Sequence, residues 1–105
     1  MDYKEDLQDL REEFLYQVNI ILPELARQTG KYPIMFNHCW CRILYDNLVG
    51  QCWYACFDTT KGPAYKQLSC QQLNILLGWI EAMKENPNLV KLMNNNSLRW
   101  RTDYE

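Results

Sequence analysis

Apolar residues recur along residues 3–22 at steps of three and four: Leu7, Leu10, Phe14, Val18 and Ile21, with Leu25 continuing the stripe. That is the period of one face of an α-helix, and the acidic residues fall mostly between the apolar positions. Pro23 lacks a backbone N–H and its ring crowds the preceding turn, so the pattern predicts a helix that kinks or restarts there. Gly30 suits a helix stop, and Pro33 marks an extended connection. A second stripe runs through residues 36–57. Phe36, Trp40, Ile43, Leu44, Asn47, Leu48 and Gln51 project to one side at about 100° per residue, with His38, Arg42 and Asp46 on the other. Asn37 is a natural N-cap for this helix, and Gly50 ends or bends it before residues 51–57 continue. The aromatics of 51–57 also fit a strand, but no convincing partner strand exists.

Asp58-Thr59-Thr60-Lys61-Gly62-Pro63 reads as a loop. Ser69 and Gln72 then match a capping box, opening a helix with Leu73, Leu76, Leu77, Ile80 and Met83 on one face. Asn86-Pro87 restarts the chain as cap and first helical residue. Leu89, Leu92 and Met93 form a short stripe that Asn94-Asn95-Asn96-Ser97 is expected to break, leaving Leu98 and Trp100 to fold back as a final turn. The expected fold is all-α, a compact single domain of five or six short helices. An acidic amphipathic helix spans 1–30, kinked at Pro23, and a helical core spans 36–101. The expected core is Phe14, Val18, Ile21, Trp40, Ile43, Leu44, Leu73, Leu76, Leu77, Ile80 and Leu92.

Composition narrows the function classes. The chain has 105 residues, one domain's worth, and 48% of them are hydrophobic, which excludes intrinsic disorder. Eleven Lys and Arg stand against thirteen Asp and Glu, a net charge of −2. Residues 1–29 hold three of the basic and seven of the acidic groups, a net of −4. Nucleic acid is not an expected partner, because phosphate neutralisation needs a basic excess. The opening Met-Asp-Tyr-Lys-Glu-Asp lacks the positive start of a signal peptide, and no apolar run approaches a membrane span. With five cysteines, an odd number, a reducing cytoplasm is the expected compartment.

Chemistry concentrates in His38-Cys39-Trp40-Cys41-Arg42, followed by Cys52 and Cys56. Cys52 and Cys56 are weak metal candidates, since the Cys-x-Cys and Cys-x3-Cys spacings are not the paired Cys-x2-Cys knuckles of zinc sites. Packing as small apolar side chains is the expected role, no metal or other cofactor is assigned, and redox sensing is a lesser reading. His38 lies two helical turns from Asp46, whereas Arg42 and Asp46 are four apart and able to pair. His38, Arg42, Tyr45 and Asp46 therefore either line a polar groove for an anion or partner, or form a solvated helix face with one salt bridge. Four Trp, seven Tyr and three Phe are a heavy aromatic load. Half-exposed aromatics of that kind mark interfaces, and they also fill gaps between short helices. Leu98-Arg99-Trp100-Arg101 adds a basic-aromatic turn near the end. The glycines are isolated, so no Gly-rich turn can cradle a pyrophosphate, and no nucleophile or metalloprotease motif is present.

His38-Cys39-Trp40-Cys41-Arg42-Ile43-Leu44-Tyr45-Asp46-Asn47, Gly50-x-x-Trp53, Pro63-Ala64-Tyr65-Lys66-x-Leu68-Ser69 and the ending Leu92-x-Asn94-x-x-Ser97-Leu98-x-Trp100-Arg101 resemble a family of short bacterial proteins of unassigned activity. The resemblance covers residues 36–101. Some members are labelled GNAT-type acetyltransferase-related, which would imply acyl transfer and coenzyme A. A GNAT fold is a mixed sheet with an Arg/Gln-x-x-Gly-x-Gly/Ala loop, and the residues here supply neither. The resemblance also singles out His38, Arg42, Asp46, Asn47 and Trp53. The leading expectation is a non-catalytic, cytoplasmic interaction or regulatory module that meets a protein partner or a second copy of itself. Its candidate contact residues are His38, Arg42, Tyr45, Asp46, Asn47, Trp53, Tyr65, Arg99 and Trp100. The alternative is an acyltransferase-related enzyme or accessory subunit.

Overall fold

Asp6 opens the first helix, its carboxylate accepting the Gln8 N–H at 2.9 Å, as an N-cap should. The computed structural model describes residues 6–104, and every regular element in that range is helical. Helix α1 (Leu7–Tyr16) passes through a π turn (Gln17–Ile21) straight into α2 (Leu22–Thr29). The expected kink at Pro23 takes this form. Pro23 sits in the first turn of α2, and widening the turn before it relieves the ring's clash with the carbonyl four residues back. Gly30 ends α2 at φ 64°, a left-handed conformation that side chains with a Cβ resist.

Helix α3 (Asn37–Val49) begins one residue earlier than expected, at the residue that was to cap it. Phe36, not Asn37, is the N-cap, and Phe36 has no side chain able to accept a bond from the helix. Gly50 closes α3 at φ 70°, so the helix does not continue through 51–57 as the stripe suggested. Short 3-10 turns follow at Trp53–Ala55, Thr59–Lys61 and Ala64–Gln67. Helix α4 (Cys70–Glu85) starts at the expected capping box, with Ser69 and Gln72 bonded in both directions.

Helix α5 (Pro87–Tyr104) is the main departure from expectation, because Asn94-Asn95-Asn96-Ser97 does not break it. Asn94 and Ser97 bond side chains of α3, and Asn96 donates weakly to Asn47. Tertiary partners thus override a weak helix propensity.

One cluster of buried side chains joins all five helices, from Leu10 and Phe14 through Trp40, Ile43 and Leu44 to Leu73, Leu76, Ile80, Val90 and Met93. Of the expected core, Ile21 and Leu77 are only partly buried and Leu92 is 59% exposed. The stripe on α5 runs instead through Val90, Met93 and Ser97, because Leu92 faces outward. The molecule is a slab, 35 × 33 × 18 Å, about two helices thick. No helix among the described residues is long and apolar enough to cross a membrane.

Candidate functional site

The α3–α5 seam carries the polar centre of the molecule. Asp46, expected on the outer face of α3, is fully buried, and four donors satisfy its carboxylate. Oδ1 accepts the Trp53 backbone N–H at 2.9 Å and Arg101 Nη2 at 3.3 Å. Oδ2 accepts the Ser97 hydroxyl at 2.6 Å and Arg101 Nε at 2.9 Å. Burial works against the Arg101 charge, but the Asp46 carboxylate, with smaller help from Tyr54 and Cys52, holds the guanidinium above its ordinary pKa. The anticipated Arg42–Asp46 pair is replaced. Asp46 pairs across the seam with Arg101, and Arg42 donates to Ser97 Oγ and Asn94 Oδ1, both at 2.7 Å. Ser97 relays between the two, receiving from Arg42 and donating to Asp46. Asn47 completes the seam by donating to the Met93 carbonyl at 3.0 Å and the Ile43 carbonyl at 2.8 Å.

Above this network lies a groove of about 370 Å³, lined by His38, Cys41, Arg42, Trp53, Tyr54 and Arg101 along with Asn37. Trp53 packs on Tyr54 with ring centroids 4.5 Å apart, and the Arg101 guanidinium lies over the Tyr54 ring at 5.0 Å. The Asp46 bond to the Trp53 N–H pins the turn after α3 and so places this aromatic wall. His38 is exposed and stacks on Phe36, the rings 3° from parallel at 5.8 Å. Phe36 and Asn37 also border a neighbouring groove of about 240 Å³ with Met35. Phe36 and Met35 are 61% and 47% exposed, so an apolar shelf adjoins the polar groove.

Comparison of the chain with protein-family models, with curated proteins and with solved structures gave no match.

The structure brings His38, Arg42 and Trp53 together around the groove and sets Asp46 beneath it, whereas Asn47 lines a separate groove with Trp79, Leu89 and Met93. Tyr45 belongs to the core instead, between Phe14 and Trp53. Burial pushes its phenol well above the ordinary range, and the nearby Cys41 thiol adds to that. Burial likewise raises Cys41 to about 11, against a smaller opposing effect of its bond with Tyr45. Tyr65 is half-buried against the core, Arg99 is exposed and bonds Asn96, and half-buried Trp100 borders a separate cleft with Cys52 and Asp103. These three do not reach the groove. Cys52 is buried and Cys56 exposed, and no group of three His, Cys, Asp or Glu side chains among the described residues is placed to hold a metal.

Asn94, Ser97, Arg101 and Tyr54 were not among the candidates. A signal was present for three of them. Val90, Asn94, Ser97 and Arg101 repeat at steps of four, three and four, with Met93 beside Asn94, once the triple asparagine is taken as helical. Nothing in the sequence singled out Tyr54, whose position follows from the 3-10 turn.

Proposed function

We propose that the chain is a non-catalytic interaction module that meets its partner at the groove over Arg42 and Arg101. The observation that carries this reading is the fully buried Asp46 carboxylate, which ties α3, α5 and the Trp53 turn into one rigid floor. Rigid placement matters because ordering loose side chains on binding costs free energy. The residues presented above that floor are Trp, Tyr and Arg, the types that dominate binding energy at protein interfaces. A volume of about 370 Å³ seats one or two side chains of a partner.

The test is affinity capture with tagged chain under reducing conditions, read by native mass spectrometry. Wild-type chain is expected to carry a discrete heavier complex. Trp53→Ala and Arg42→Ala, each shown to keep its helical circular dichroism, are expected to lose at least about tenfold of that complex. Undiminished capture by both folded variants would exclude this surface.

A further inference from the structure

Charge accounting around the groove singles out Arg42. Asp46 is the carboxylate of the seam, and Arg101 engages both of its oxygens. Arg42 is half-buried, yet its acceptors are an amide and a hydroxyl, both neutral, and among the described residues it forms no ion pair. Among the described residues two guanidiniums thus face one carboxylate, leaving one positive charge in excess beside Trp53 and Tyr54. Arginine presents five N–H donors, and the two bonds to Asn94 and Ser97 leave others for a planar, two-pronged acceptor. Next to this charge, past Asn37, lies the exposed Phe36–Met35 shelf.

We infer that the groove recognises an acidic side chain of a partner polypeptide, its carboxylate on Arg42 and an adjoining apolar side chain on Phe36 and Met35. This rests on the interaction reading above and names the chemistry of the partner. The carboxylate completes the charge balance that Asp46 leaves short. The apolar neighbour covers two large side chains that are otherwise open to water. Asn94 and Ser97 hold the Arg42 fork in place beforehand, so little side-chain freedom is lost on binding.

The experiment uses ¹⁵N-labelled full chain and two blocked peptides, acetyl-Ala-Glu-Phe-Ala-amide and its Gln counterpart. Nitrogen–proton correlation spectra follow the Arg42 and Arg101 Nε–H and Trp53 indole signals. Saturable shifts with the Glu peptide are expected, and binding of the Gln peptide should be weaker by about tenfold or more. Arg42→Gln should reduce the Glu peptide to the level of the Gln peptide. Arg42→Lys, which keeps the charge without the fork, should fall between, and exposed Arg99→Gln should change nothing. The wild-type comparison of the two peptides stands even if a variant fails to fold. Equal binding of both peptides, absence of saturable shifts, or inorganic phosphate binding the same groups as tightly would each overturn the carboxylate assignment. In any of those cases, partner capture that still depends on Trp53 leaves the interaction reading standing. Capture indifferent to both Trp53 and Arg42 removes both.

Discussion

The Asp46 carboxylate joins α3, α5 and the turn that follows α3. Its charge is buried, and it is tolerable there because Arg101, Ser97 and the Trp53 N–H satisfy it completely. Removing one member of such a set leaves the other charge uncompensated. Asp46→Asn is expected to lose about 3 kcal/mol of stability, read as a shift of the urea midpoint. Ser97→Ala should cost about 1–3 kcal/mol, since both Arg42 and Asp46 lose a partner. Cys41 sets an alkaline limit. Its thiol rises from 9.0 to about 11 on folding, so the neutral form is favoured in the folded state. That contribution is complete below pH 9 and is lost as the pH climbs through 11. Urea midpoints should therefore fall across this window, with buried Tyr45 adding to the loss. Cys41→Ser, which keeps a hydroxyl near Tyr45 but does not titrate there, should make the fall shallower. An unchanged profile in that variant would assign the alkaline loss to Tyr45 alone.

At the scale of elements, the helix ends were the most readable features. The Ser69–Gln72 capping box and the Gly30 stop follow from local chemistry, which acts over a few residues whatever surrounds them. Ser69→Ala should cost about 1 kcal/mol in the same urea assay and leave the groove signals of Arg42 and Arg101 unmoved. Three element readings differed: the α3 cap, the asparagine run and the stretch after Gly50. Asn94-Asn95-Asn96-Ser97 looked like a break because asparagine has weak helix propensity, but α3 supplies partners that the local sequence does not show. The continuation of α3 through 51–57 looked helical by its stripe. Gly50 in the left-handed region and the Asp46 bond to the Trp53 N–H turned it into a 3-10 turn.

For the whole molecule, one cluster of buried side chains connects every helix, and the slab is too thin to hold a second core. Unfolding is therefore expected to be a single transition, with far-ultraviolet circular dichroism and tryptophan fluorescence giving the same midpoint. Separate midpoints would show that α1–α2 unfolds apart from the rest. Asp9, Glu12, Glu13 and Glu24 against Arg11 and Arg27 leave α1 and α2 acidic, whereas the excess positive charge of the seam comes from α3 and α5. A molecule of net charge −2 can thus carry a locally cationic groove, which a sum over the chain conceals.

The sequence by itself determined the all-α class, most of the helix boundaries and most of the core, because periodicity and capping are local and repeat along the chain. It also drew together His38, Arg42, Asp46 and Trp53, since all but one lie on a single helix face. Which of them pair was settled only by packing. Arg42 and Asp46 stand one turn apart and invite pairing, yet Ser97 and Arg101, more than fifty residues away, take the bonds instead. An ion pair forms with whichever partner satisfies a buried charge most completely. That choice depends on which helix is laid alongside, and only the tertiary structure laid α5 against α3.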